Sequence, residues 1–145
     1  MTDNEVDDEA AALLRRVNQR YTSSRRRLVA ALQAGDGPLT ITQIVAADDS
    51  LPQSTIYRNL TILEDADIVT RIVTSDDFAR YELAERLTEH HHHLICSNCG
   101  DVTDFSLDTR TETNLDRALH RAASQAGFNV AAHRLDLLGT CVGCN

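Results

Sequence analysis

Four cysteines are the only thiols in the chain, and they fall as two Cys-x-x-Cys pairs, Cys96/Cys99 and Cys141/Cys144. Each pair can hold one side of a tetrahedral metal from a tight turn, and two pairs complete four sulfur ligands. This spacing is the one expected of a structural Zn2+. The competing readings are two local disulfides or four buried thiols. A Cys-x-x-Cys disulfide closes a very small loop and adds little stability.

The first pair follows four consecutive histidines, His90 to His93. In extended chain, side chains alternate between faces. His90 and His92 then point one way, and His91 and His93 the other, so each pair can begin a separate imidazole site. A tetrathiolate needs neither. The pattern therefore predicts one closed structural site and one or two exchangeable ones. A solvated His-rich loop or a tag remnant is the bland alternative. The run is internal and leads straight into Leu94-Ile95-Cys96, which disfavours a tag.

At 145 residues the chain suits one domain or two small linked ones. Aromatics are 4% and tryptophan is absent, so two small cores would be thin and a metal staple makes physical sense. No apolar run approaches membrane length, and the N-terminus is acidic rather than a basic-plus-apolar leader. The expectation is a cytoplasmic, reduced protein with no membrane partner and no small-molecule substrate, where paired cysteines favour metal.

The net charge of −8 argues against indiscriminate nucleic-acid binding, but the charge is uneven. Residues 1–9 carry Asp3, Glu5, Asp7, Asp8 and Glu9 without a base, and are expected to form a disordered acidic tail. Residues 15–58 carry seven arginines against Asp36, Asp48 and Asp49.

Helical spacing predicts helices over about 9–19, 24–34, 41–47 and 52–66. In the last, Ile56, Leu60 and Leu63 face inward while Ser54, Tyr57, Arg58 and Thr61 face out. Two strand-like runs follow, Ile68–Val73 and Ala79–Leu83. Three or four helices and then a hairpin is a winged-helix order, with 52–66 as the recognition helix. Beyond a polar linker, strands at Leu94–Cys96 and Val102–Phe105, a helix at about 110–126 and a strand at Phe128–Leu138 are expected. This half has too few apolar residues to cover its own strand edges, and is expected to dimerise.

Together these residues resemble the ferric uptake regulator family of metal-dependent repressors. The carrying motifs are Ser54-Thr55-Ile56-Tyr57-Arg58-Asn59-Leu60, the run from His90 to Gly100, Gly139-Thr140-Cys141-Val142-Gly143-Cys144, and Tyr21-Thr22-x-x-Arg25. The resemblance spans about residues 15–144. It implies an α+β fold: a winged helix-turn-helix domain (10–84), a hinge (85–92) and a small α/β dimerisation and metal-binding domain (93–145) with a four-cysteine zinc site. It implies a homodimer on a double-stranded DNA operator. Tyr57 and Arg58 would be recognition contacts and Arg20 a minor-groove contact. Ser54, Thr55 and Arg25, from the same motifs, complete the expected DNA-binding set.

The resemblance also implies two His/carboxylate sites. One matches His90, His92 and His133 plus an acid on the following helix. Counting back from Gly127 gives Asp116; counting forward from Phe105 lands near Thr111, with Glu112 next to it; Asp116 is preferred. The other, sensory site matches His91, His93 and Glu82, the acid of Tyr81-Glu82. Pro38 and Thr70 stand at further family ligand positions. The fourth ligand stays open among Glu85, Glu89, Asp76 and water.

The implied function is a metal-responsive repressor of metal homeostasis genes. It would bind palindromic operators when its regulatory site is loaded, with Zn2+ favoured. The alternatives within the family are Fe2+, Mn2+ or Ni2+ response, or peroxide sensing. A zinc hydrolase is set aside: there is no His-Glu-x-x-His, and the strong motif is a closed thiolate set. A zinc-binding interaction module without DNA binding is the alternative of another class, and the Arg-bearing helix argues against it.

Overall fold

A computed structural model describes residues 1–145. Helix α1 spans Asp3–Arg16, α2 Ser23–Ala34, α3 Ile41–Ala47 and α4 Gln53–Asp65. Three of them start where the sequence provides a cap. Thr2, Thr22 and Thr40 each accept a backbone N–H at the third helical position, and Glu5 and Gln43 return the bond to complete capping boxes. Pro52 precedes α4, where a missing N–H costs nothing.

The expected disordered tail is instead the first half of α1. Val6, Ala10, Leu13 and Leu14 recur at helical spacing and are buried against the other helices. Asp3 and Glu5 sit in the first turn, where acids suit the helix dipole. Further along, Asp7 accepts from the Tyr21 hydroxyl at 2.6 Å and pairs with Arg26, and Glu9 lies 3.5 Å from Arg86. The charge run obscures an amphipathic helix in which Asp7 and Glu9 face arginines.

Strands β1 (Leu39–Thr40), β2 (Val69–Val73) and β3 (Ala79–Leu83) form an antiparallel sheet in the order β1-β3-β2. Its inner residues Val69, Tyr81 and Leu83 join Leu28, Ile44, Ile56, Leu60 and Leu63 in one core. Leu87, in a single 3-10 turn at Glu85–Leu87, belongs to that core and is 2% exposed. The start of the expected hinge is therefore anchored.

The second sheet holds β4 (His92–Cys96), β5 (Val102–Phe105) and β6 (Asp136–Gly139), in the order β5-β4-β6. The β4/β5 pair is antiparallel and the β4/β6 pair parallel, with α5 (Thr109–Gln125) in the crossover. The long strand expected at Phe128–Leu138 is absent. Residues 128–135 are irregular and only Asp136–Gly139 pair, matching the four residues of β4 that face them. Strand β6 is an edge, its residues are all exposed, and α5 buries none of its own.

The two halves touch at the wing tip as well as through the linker. The Ser75 hydroxyl donates to the Ser97 carbonyl at 3.2 Å, and Asp76 lies against Gly100. Asp76 is held there by Arg80 at 2.8 Å, which keeps its carboxyl well below the usual range.

Candidate metal centres and nucleic-acid face

Strand β4 distributes ligands among three clusters. His91 and His93 turn to one side and His90 and His92 to the other, as alternation requires, while Cys96 ends the strand beside the second cysteine turn.

The four cysteines gather with all sulfur atoms within 4.8 Å of one another and form no disulfide. Cys99 Sγ lies 3.8 Å from Cys141 Sγ. A tetrahedron with metal–sulfur bonds of ~2.3 Å has edges of about 3.8 Å, so the thiols fit zinc. The backbone N–H groups of Cys99 and Cys141 donate to Cys96 Sγ at 3.5 and 3.4 Å. With Asn98 they pull the Cys96 thiol down to about 6, toward the ligating thiolate.

The second cluster joins the two halves. Glu82 Oε2, on β3 of the wing, lies 3.1 Å from both His91 Nε2 and His93 Nε2. Asp104, on β5, completes it, 3.7 Å from His93 Nε2 and 3.9 Å from His91 Nε2. Burial raises the Asp104 carboxyl, and one of its oxygens has no hydrogen-bond partner. Burial also acts to raise Glu82, but the imidazoles of His93 and His91 outweigh it and hold it low. Two imidazole nitrogens and two carboxylates converging on one point fit a divalent cation.

Asp104 is not among the fourth ligands expected from sequence. Of those that are, Glu85 pairs with His90, Asp76 with Arg80, and Glu89 offers its backbone carbonyl to His91 Nδ1 at 2.9 Å. The signal that could have found Asp104 is the β-hairpin register: closing β4 onto β5 across the cysteine turn places it opposite His93.

In the third cluster Glu112 bridges three histidines. Its oxygens lie 3.0 Å from His90 Nε2, 2.8 Å from His92 Nε2 and 3.0 Å from His133 Nε2. The preferred Asp116 lies one turn further along α5, outside this group of four. Asp108 caps α5, so Glu112 falls in the first turn beside β4, while Asp116 stands 3.4 Å behind His133 at Nδ1.

On the winged helix, Ser54, Tyr57 and Arg58 project from α4 into solvent, Thr55 is half-buried, and Arg20 is exposed. Arg25 is not on this face. It is buried, with Nε donating to Asn59 Oδ1 at 3.0 Å and another nitrogen to the Arg20 carbonyl. Arg26 pairs with Asp7 and Arg27 with Asp48 at 2.7 Å, so none of this arginine triplet is unpaired.

Comparison with known proteins is consistent across the chain. The family model described as "Ferric uptake regulator family" matches residues 16–138. A ferric uptake regulation protein of Campylobacter jejuni is 32% identical over 139 residues, covering 92% of this chain and 84% of that protein. A peroxide-responsive repressor of Staphylococcus epidermidis is 29% identical over 146 residues, covering 98% and 91%. The solved structure of the Helicobacter pylori ferric uptake regulator shares the fold, with a TM-score of 0.75 at 22% identity, covering 99% of this chain and 94% of that one.

Proposed function

The chain belongs to the ferric uptake regulator family, a metal-responsive transcription regulator and not an enzyme, and we propose that the Glu82/His91/His93/Asp104 cluster is its sensory metal site. The observation that carries this is one of connectivity. Glu82 comes from the wing, and His91, His93 and Asp104 come from the C-terminal half.

A bound divalent cation supplies positive charge that the four donors share. Glu82 then holds the wing to the C-terminal sheet, which fixes the orientation of α4. Without that charge, Glu82 would be held only by its contacts to His91 and His93, against the like charge of Asp104, and the wing would be held less tightly. Coupling between metal and operator is reciprocal and typically ~1–3 kcal/mol.

The operator is read by a homodimer. Strand β6 is an uncovered edge; its own Leu137 and Leu138 are 49% and 73% exposed, and Leu94 of the neighbouring β4 is 43% exposed. A second copy covering this face sets the two α4 helices at a palindromic spacing. Tyr57 and Arg58 contact base edges and Arg20 the minor groove, with Ser54 and Thr55 supporting them. The cysteine cluster holds structural Zn2+. The Glu112 cluster takes a second exchangeable ion on His90, His92 and His133.

Read from sequence, the sensory site favours Zn2+. The second carboxylate, Asp104, gives a sulfur-free set of two nitrogens and two oxygens, which shifts the preference toward Fe2+ or Mn2+. The similarity to an iron-uptake regulator and a peroxide-responsive repressor agrees with that shift.

The test is operator binding, using duplexes selected from a random pool, with metal-stripped protein refilled separately with Zn2+, Fe2+ or Mn2+. Metal-dependent binding that His93→Ala abolishes supports the reading. Equal binding with and without metal, or an unaffected His93→Ala, defeats it.

A further inference from the structure

The two sensory imidazoles are held from behind by different groups. His91 Nδ1 donates to the Glu89 backbone carbonyl at 2.9 Å. His93 Nδ1 donates to a side chain, Asp136 Oδ1, at 3.1 Å. Asp136 is the first residue of β6 and lies directly across the parallel β4/β6 pair from His93. His93 itself is 6% exposed, so little solvent can replace that acceptor.

The consequence lies in the ring's tautomer. A neutral imidazole carries one proton, and only the bare nitrogen can ligate. Asp136 keeps the proton on Nδ1. That leaves the Nε2 lone pair directed at the point shared by Glu82 and Asp104. We propose that Asp136 is the positioning residue of the sensory site, fixing the tautomer and ring plane of His93 from the edge strand β6. It stands to the site as carboxylates commonly stand to ligating histidines. The inference rests on the sensory reading of this cluster.

The placement has a further use. Between residues 133 and 141 the chain gives His133 to the third cluster, Asp136 to the back of His93, and Cys141 to the cysteines. Strand β6 is pinned at its far end by the cysteine turn, where Ser97 N–H donates to the Gly139 carbonyl at 2.8 Å. Asp136 thus takes its register from the structural site.

The experiment uses full-length protein carrying its structural zinc, with Mn2+ as the exchangeable probe in competition with a chelator. Asp136→Ala, Asp136→Asn and His93→Ala are compared, and histidine ring nitrogens are read by NMR in the metal-free state. Asp136→Ala is expected to weaken Mn2+ binding by roughly 10–100-fold and to shift His93 away from the Nδ1–H tautomer. Asp136→Asn, whose amide oxygen still accepts that N–H, recovers most of the affinity. Structural zinc stays at one per chain throughout. An Asp136→Ala affinity within about twofold of wild type, while His93→Ala loses binding, overturns the role of Asp136 alone. If His93→Ala binds Mn2+ like wild type, the sensory reading falls and the inference with it. The tautomer shift with Asn recovery separates positioning from general damage to β6.

Discussion

Arg25 and Asn59 meet inside the winged helix, with the guanidinium Nε 3.0 Å from the amide oxygen, and the pair ties α2 to α4. Arg25 is 8% exposed and Asn59 6%. Asn59 also donates to the Thr55 carbonyl at 3.0 Å, within α4. Burial lowers the Arg25 pKa from its ordinary value, and the nearby Arg58 adds to this, so the hydrogen bonds offset a real desolvation cost. Arg25→Ala strands Asn59 Oδ1 and the Arg20 carbonyl, and is expected to cost about 1–3 kcal/mol. Chemical denaturation of zinc-loaded protein measures this. Asn59→Ala and the double variant should give a non-additive cycle, because the two residues share one interaction. Additive losses would mean that the bond contributes nothing.

Arg58 should behave in the opposite way. It is exposed on α4, and no acid pairs with it. Arg58→Ala is expected to leave stability within ~0.5 kcal/mol of wild type. Operator affinity should fall, and if Arg58 touches phosphate the salt slope should drop by about one. Fluorescence anisotropy across a salt series reads both quantities. Unchanged affinity would remove Arg58 from the interface.

The contrast between Arg25 and Arg58 shows what the chain's letters convey and what they withhold. Both arginines lie in matching motifs, and local charge cannot say which one points outward. The cysteine pairs, the alternation of the histidines and the inner face of α4 depend on short-range period and spacing, and these are legible. Glu112 and Asp104 depend on where α5 begins and on how β4 registers against β5. The second follows only once the hairpin is closed across the cysteine turn, and the first depends on where the cap of α5 falls, which the counts from Phe105 and from Gly127 place differently. The acidic α1 reads as a tail only when charge is weighed ahead of the buried set Val6, Ala10, Leu13 and Leu14.

Glu112 and Asp116 can be separated directly. Glu112→Ala removes the carboxylate shared by His90, His92 and His133 and should lose one exchangeable metal per chain. Asp116→Ala touches only the rear of His133 and the exposed His120. It should retain that metal with affinity lowered by at most ~10–100-fold. Elemental analysis after equilibration at graded free metal distinguishes them. Loss of the ion with Asp116→Ala but not Glu112→Ala would restore Asp116 as the ligand.

Gly100 tests the wing-tip contact. Its φ is +79°, and an added Cβ would collide with the Asp76 carboxylate and lie 2.8 Å from Asp76 Cβ. Asp76 cannot easily yield, since Arg80, Thr74 and the Phe78 N–H hold its carboxylate. Gly100→Ala is therefore expected to push the wing tip off the cysteine turn and to add ~1–2 kcal/mol of left-handed backbone strain. Limited proteolysis should cut residues 88–91 faster while structural zinc is retained. An unchanged cleavage rate would show that the contact does not restrain the wing.

Acid should weaken the sensory site through its imidazoles. The His93 pKa is raised, first by its hydrogen bond to Glu82 and against its own burial. Burial also opposes His91, but the Glu89 carbonyl, Glu82 and Asp104 together raise it. A raised value means that metal-free protein keeps these protons to higher pH, and each must leave before its nitrogen ligates. Affinity should therefore be flat above the raised imidazole range and fall as pH drops through it. With two imidazoles the slope approaches about two decades per pH unit, each proton contributing one. Glu82 is held low and contributes nothing in this range. Mn2+ competition from about pH 8 down to about pH 6 measures the slope. His91→Gln should reduce it to about one, since a single titrating imidazole remains. A slope near zero in wild type would mean that the histidines do not carry the ion.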